Sequence, residues 1–131
     1  MRFLEATIVD IQSCETLNVV VFEVYGDRLS MMSLELGSEI EVGVRVKLGV
    51  KPASVAIAKD FSGELSYSNQ LRCKISSVEN GEILSSIDLL YYDIKLESII
   101  TLSSSKRLDL KEGDEVVALI KASELSIMGI L

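Results

Sequence analysis

Gly43-Val44-Arg45-Val46-Lys47-Leu48-Gly49-Val50-Lys51 and Gly113-Asp114-Glu115-Val116-Val117-Ala118-Leu119-Ile120-Lys121 are one pattern written twice, 70 residues apart. In each, a glycine opens the stretch, apolar residues recur at every second position, and a lysine closes it. Val44, Val46, Leu48 and Val50 share one parity, as do Val116, Ala118 and Ile120. A period of two places such residues on one face of a strand, so each copy predicts a half-buried β-strand. Self-similarity over this distance further predicts two similar units in tandem.

The repeat extends outward from there. Upstream, Leu4-Glu5-Ala6-Thr7-Ile8 matches Leu71-Arg72-Cys73-Lys74-Ile75 at an offset of 67, and downstream Val55-Ala56-Ile57 matches Leu125-Ser126-Ile127 at an offset of 70. The difference fits a slightly longer middle connection in the second copy. Segments 17–25 and 83–92 are rich in β-branched and aromatic residues and predict further strands. Gly26-Asp27 predicts a turn into Leu29-Ser30-Met31-Met32, and Asn80-Gly81 a turn ahead of 83–92. Segments 35–41 and 103–108 each predict one short helical turn, with Ser103-Ser104-Ser105 capping the second. Pro52 is expected to end or bend the strand before it. The fold class expected is all-β: two tandem OB-like Greek-key β-barrel modules, each with a short helical turn. Residues 1–60 form the first, residues 69–131 the second, and 61–68 the connecting segment.

Composition narrows the function classes. A unit of about 65 residues buries only roughly 60% of its unfolded surface and is marginal alone, so two units gain by packing together. Hydrophobic residues make up 48% of the chain and mean hydropathy is +0.35, yet no long apolar run exists. The surplus predicts a buried subunit interface rather than a membrane span. Met1-Arg2-Phe3-Leu4-Glu5 lacks a signal-peptide core, which predicts a cytoplasmic location and reduced thiols at Cys14 and Cys73. Twenty acids against 13 bases give a net charge of −7, and there are only three Phe and four Tyr, which argues against nucleic acid. With no histidine, no phosphate-binding glycine loop and no paired acids, neither catalysis nor a directly coordinated metal is expected. A small oxyanion is compatible with the acidic balance, because local N–H groups and one or two cations hold it.

Two stretches carry a family resemblance. Ser66-Tyr67-Ser68-Asn69-Gln70-Leu71 resembles the Ser-x-Arg-Asn-Gln-Leu entry of Mop/TOBE modules, with Ser68 where many relatives carry arginine. Leu110-Lys111-Glu112-Gly113-Asp114-Glu115-Val116-Val117-Ala118-Leu119-Ile120-Lys121-Ala122-Ser123-Glu124 resembles their C-terminal signature. The first copy matches more loosely through Val46-Lys47-Leu48-Gly49-Val50-Lys51-Pro52, and the two copies span most of the chain, from about Leu4 to Ile127. The resemblance implies a module that binds molybdate or tungstate. It further implies a free-standing storage, buffering or homeostasis protein of molbindin type, in which three chains assemble a ring of six modules and ligand sits at contacts between modules. The alternative role is an oxyanion sensor that docks on a separate importer ATPase or repressor.

Molybdate is a tetrahedral dianion and needs several convergent donors. Lys121-Ala122-Ser123 supplies an ammonium, successive backbone N–H groups and a hydroxyl. Ser66, Tyr67, Ser68 and Asn69 bring further hydroxyl and N–H donors to the start of the second module. Lys51 is the counterpart of Lys121, but Pro52 replaces Ala122 and removes an N–H. Arg2 falls opposite Asn69 in the repeat and is a candidate to replace some of the missing arginine charge. Fewer or weaker sites than six per ring are therefore expected. Cys73 takes the place of Ala6 and reads as a small core residue, Cys14 as a turn residue, Met31-Met32 as core or interface packing, and Tyr91-Tyr92 as an interface pair with one ring buried on each face.

Overall fold

The computed structural model describes residues 3–131; Arg2 lies outside them. The first copy forms β1 (Phe3–Cys14), β2 (Leu17–Val24), β3 (Asp27–Ser33), β4 (Arg45–Gly49) and β5 (Ala56–Ala58). The second forms β6 (Asn69–Asn80), β7 (Leu84–Tyr91), β8 (Ile94–Thr101), helix α1 (Leu102–Arg107), β9 (Glu115–Ile120) and β10 (Ser126–Ile130). A single 3₁₀ turn, Pro52–Ser54, separates β4 from β5, and its counterpart Ala122–Glu124 separates β9 from β10.

Local chemistry accounts for these elements. Leu4, Ala6 and Ile8 on β1, and Leu71, Cys73 and Ile75 on β6, are all buried while their neighbours face out. Both long strands break register at the same repeat position, between Ile8 and Asp10 and between Ile75 and Ser77. Such bulges bend a strand and increase its twist, which curls each sheet toward a barrel. The β2–β3 turn falls on Tyr25-Gly26, with φ of 50° and 84°, and Asp27 already belongs to β3. Two consecutive left-handed residues make the type I′ geometry that matches hairpin twist, displacing the expected Gly26-Asp27 turn by one residue. Gly43 and Gly113 have φ of 93° and 92°, and their N–H groups donate to the carbonyls of Ile8 and Ile75, each at 2.8 Å. Those glycines turn the chain into β4 and β9, a conformation that a Cβ would strain.

Segment 35–41 corrects the expectation of a helical turn there. It holds a tight turn at Ser38-Glu39, closed by Ile40 N–H donating to Gly37 O at 3.1 Å. Glycine inside a seven-residue stretch disfavours helix, and too few residues remain to nucleate one. The second copy does form its helix, but the cap is Thr101, whose Oγ1 accepts from Ser104 N–H at 3.1 Å, and the three serines lie inside. Cys14 is the last residue of β1, just ahead of the Glu15-Thr16 turn, rather than in the turn.

Strand order carries the main surprise. One sheet runs β10-β4-β1-β2-β3 and the other β5-β9-β6-β7-β8, with antiparallel pairing throughout. Each copy therefore donates its final strand to the sheet of the other. β10 lies along β4, with Ile127 opposite Leu48, and β5 lies along β9, with Ile57 opposite Ala118. Both 3₁₀ turns cross with their strands: Pro52–Ser54 packs on β8 and Ala122–Glu124 on β3. A single hydrophobic core runs through both sheets.

The hairpin tips meet at the junction. Tyr25 stacks on Tyr92 with ring centroids 4.6 Å apart, and its hydroxyl donates to Asp93. Tyr91 is buried, and its hydroxyl reaches Asp27 Oδ2 at 2.5 Å and the Val24 carbonyl at 3.2 Å. Desolvation first, and then the Asp27 carboxylate, push the Tyr91 phenol far above its usual range. Of the Tyr91-Tyr92 pair only Tyr91 is buried; Tyr92 is exposed and stacks on Tyr25, so the expectation of one ring buried on each face is not met within this chain.

Candidate functional site

The two 3₁₀ turns are the places where the chain crosses between sheets, and each begins with a lysine in extended conformation. Lys51 has φ −69° and ψ 136°, and Lys121 has φ −66° and ψ 145°. The third residue of each turn donates its N–H back to that lysine carbonyl, Ser54 at 2.8 Å and Glu124 at 2.9 Å. The first N–H groups of such a turn have no preceding carbonyl within it and are open to an external acceptor. In the second copy these are Ala122 and Ser123 N–H. In the first, Pro52 has none, leaving Ala53.

Lys121 and Ser123 are exposed, and Lys121 makes no ion pair among the described residues. The β6–β9 ladder sets Asn69 opposite Ile120. Ser68, just before Asn69, and Lys121, just after Ile120, therefore emerge at the same end of that ladder. Ser66 and Ser68 are exposed, while Tyr67 is half-buried and its carbonyl accepts from Gln70 Nε2 at 2.8 Å. Lys51 belongs to the other turn, which is tied to this one through Ser54 Oγ donating to Glu124 Oε2 at 3.2 Å.

Asn69 has a different environment from its neighbours. It is fully buried, its Nδ2 donates to the Ser30 carbonyl at 2.9 Å, and its Oδ1 accepts from Ser30 N–H at 2.7 Å. The amide thus imitates a strand residue and closes β3 of one sheet onto the start of β6 in the other. Sequence reading missed Ser30, Ser54 and Glu124 as participants, because each meets its partner only where the two copies pack together.

Two depressions lie nearby. One of about 350 Å³ runs between Ser123, Leu125 and Ile127 on one side and Met31, Leu36 and Ile40 on the other, with Glu35 and Glu39 also in its wall. A larger cleft of about 800 Å³ is lined by Glu5, Glu23 and Asp93 together with Arg45, Lys47 and Lys95. Its matched charges leave little net field for an anion, whereas Lys121 makes no ion pair among the described residues and the neighbouring Glu124 is held by Ser54.

Paired sheets joined by donor-rich crossover turns define a binding protein of tandem OB type. Residues 65–127 match the TOBE domain family, and the chain belongs to the Mop/TOBE family. Among solved structures, the cytoplasmic molybdate-binding protein ModG, in a form with molybdate bound, is 25% identical with a TM-score of 0.91, covering 98% of this chain and 95% of that one. A molybdate-binding protein from Sporomusa ovata is 32% identical over 50% of this chain and 98% of its own, with a TM-score of 0.49. No curated protein matches. Among the described residues no helix is long and apolar enough to cross a membrane.

Proposed function

We propose that this protein binds molybdate, with tungstate as an alternative ligand, and serves as a cytoplasmic store or buffer for the oxyanion. The observation that carries the reading is the likeness to ModG over nearly the whole chain. Lys121 supplies the cation, Ala122 and Ser123 supply N–H groups, and Ser123 adds a hydroxyl. Ser66, Tyr67 and Ser68 contribute hydroxyl or backbone donors from the start of the second unit. Such preorganised neutral donors hold a dianion without an opposing net charge, which is how a chain of net charge −7 can take one. Lys51 marks a second, weaker site with one fewer N–H.

The sequence units 1–60 and 69–131, joined by 61–68, act as two modules whose contacts frame the ligand, and three chains complete a ring. Bound oxyanion then stabilises the assembly by mass action. Selectivity over sulfate, equal in charge and shape, rests on cavity size. Titration calorimetry with molybdate, tungstate and sulfate, alongside mass from light scattering, tests this. Micromolar or tighter binding of the first two by a trimer, lost in Lys121→Ala, is the expected result. A monomer indifferent to both ligands would overturn the proposal.

A further inference from the structure

We infer that Asn69 is a positioning residue for the oxyanion turn and does not itself hold the ligand. This rests on the assignment of the 121–123 turn as the binding site. Three pieces of backbone converge on Asn69. Its own strand, β6, pairs with β9 immediately before Lys121. Its side chain clasps Ser30 of β3 at two points, 2.7 and 2.9 Å. The Ala122–Glu124 turn packs against that same β3. The clasp therefore fixes β3, and with it the turn, relative to residues 66–68.

The chemistry of the clasp selects asparagine. Ser30 presents a donor and an acceptor side by side, and only a group carrying both satisfies it. An aspartate would set a second acceptor against the Ser30 carbonyl in a fully buried place, and an apolar side chain would leave both Ser30 groups unpaired. With its oxygen and one of its N–H bonds committed to Ser30, the amide is anchored toward the first sheet.

The clasp can be broken from either side. Asn69→Ala removes it from the second sheet. Ser30→Pro removes the donor from the first, at a position whose N–H points to Asn69 and not to the β2 ladder, where an edge strand tolerates proline. Molybdate titrations of both variants, the double variant and Lys121→Ala, with folding checked by circular dichroism, separate the cases. The expected result is at least tenfold weaker binding in each single variant and no further loss in the double. Wild-type affinity in Ser30→Pro beside a loss in Asn69→Ala would make Asn69 a ligand contact and overturn the inference, as would wild-type affinity in both. Hydrogen exchange on the unaltered protein gives a second reading that needs no variant. Saturating molybdate is expected to slow exchange of the Ser30 amide more than that of Val20 in β2, and equal slowing counts against the clasp. Absence of molybdate binding by the wild type, or full binding by Lys121→Ala, instead removes the site assignment.

Discussion

Exchange of the final strands makes a quantitative demand on unfolding, and Leu48→Ala exposes it. Leu48 is fully buried on β4, between β1 of its own copy and β10 donated by the other. Truncating a buried leucine to alanine costs about 2.7–5.0 kcal/mol, of which roughly 3.5 is a fair centre. If all 131 residues unfold together, the unfolding entropy is roughly 0.27 kcal/mol per kelvin and the melting temperature falls by about 13 °C in one transition. If the copies unfolded separately, half that entropy would apply. The melt would then split, with one half displaced by about 25 °C and the other unmoved. Differential scanning calorimetry at fixed protein concentration distinguishes the two. A single calorimetric peak whose van't Hoff and calorimetric enthalpies agree supports the coupled structure. Two resolved peaks, one at the wild-type position, would refute the reasoning from strand exchange.

Other expectations follow from side chains described above. Tyr91→Phe removes a buried hydroxyl from Asp27 and the Val24 carbonyl, and should destabilise the fold by about 1.5–3 kcal/mol in urea titration with an unchanged m-value. Burial pushes the Cys73 thiol up to about 12, so native protein at pH 8 should titrate one fast thiol, exposed Cys14, and two only in denaturant. The Asp114 carboxyl is held below the usual range, first by the Lys111 N–H and then by the Lys59 ammonium. A depressed folded pKa contributes stability above the unfolded value near 3.9, lost as pH falls through the lower folded value. Asp114→Asn should accordingly flatten part of the acid limb of a stability–pH profile while leaving the limb above pH 5 parallel to wild type.

Much of the fold was legible because strand burial writes itself into the sequence as alternation. Leu4, Ala6 and Ile8 repeat as Leu71, Cys73 and Ile75, and the repeat reached even the bulges and the two left-handed glycines. What stayed hidden is partner choice. A three-residue strand such as Ala56-Ile57-Ala58 states that it is a strand, but nothing local states which sheet it joins. Segment 35–41 misled for a related reason: Leu36 and Ile40, like Glu35 and Glu39, stand four apart as on one helix face, and Gly37 with the nearby β4 entry decides otherwise. At the candidate site, the strand ends at Lys51 and Lys121 were legible, since both stand where alternation stops, but the 3₁₀ turns that follow them were not. Asn69 was visible as a motif residue, but Ser30 lies 39 residues away and no spacing rule links them.

The crossover also orders events at the ribosome. A unit that completes itself can close as soon as its own residues emerge. Here β4 has to wait for β10, whose Ser126 settles opposite Gly49. At typical elongation rates that interval is on the order of 4–15 s, during which the first sheet presents an unfilled edge beside β4. The half that is translated first is thus the half that finishes last, and that unfilled edge is where a nascent chain would be open to mispairing with a neighbour on the same message.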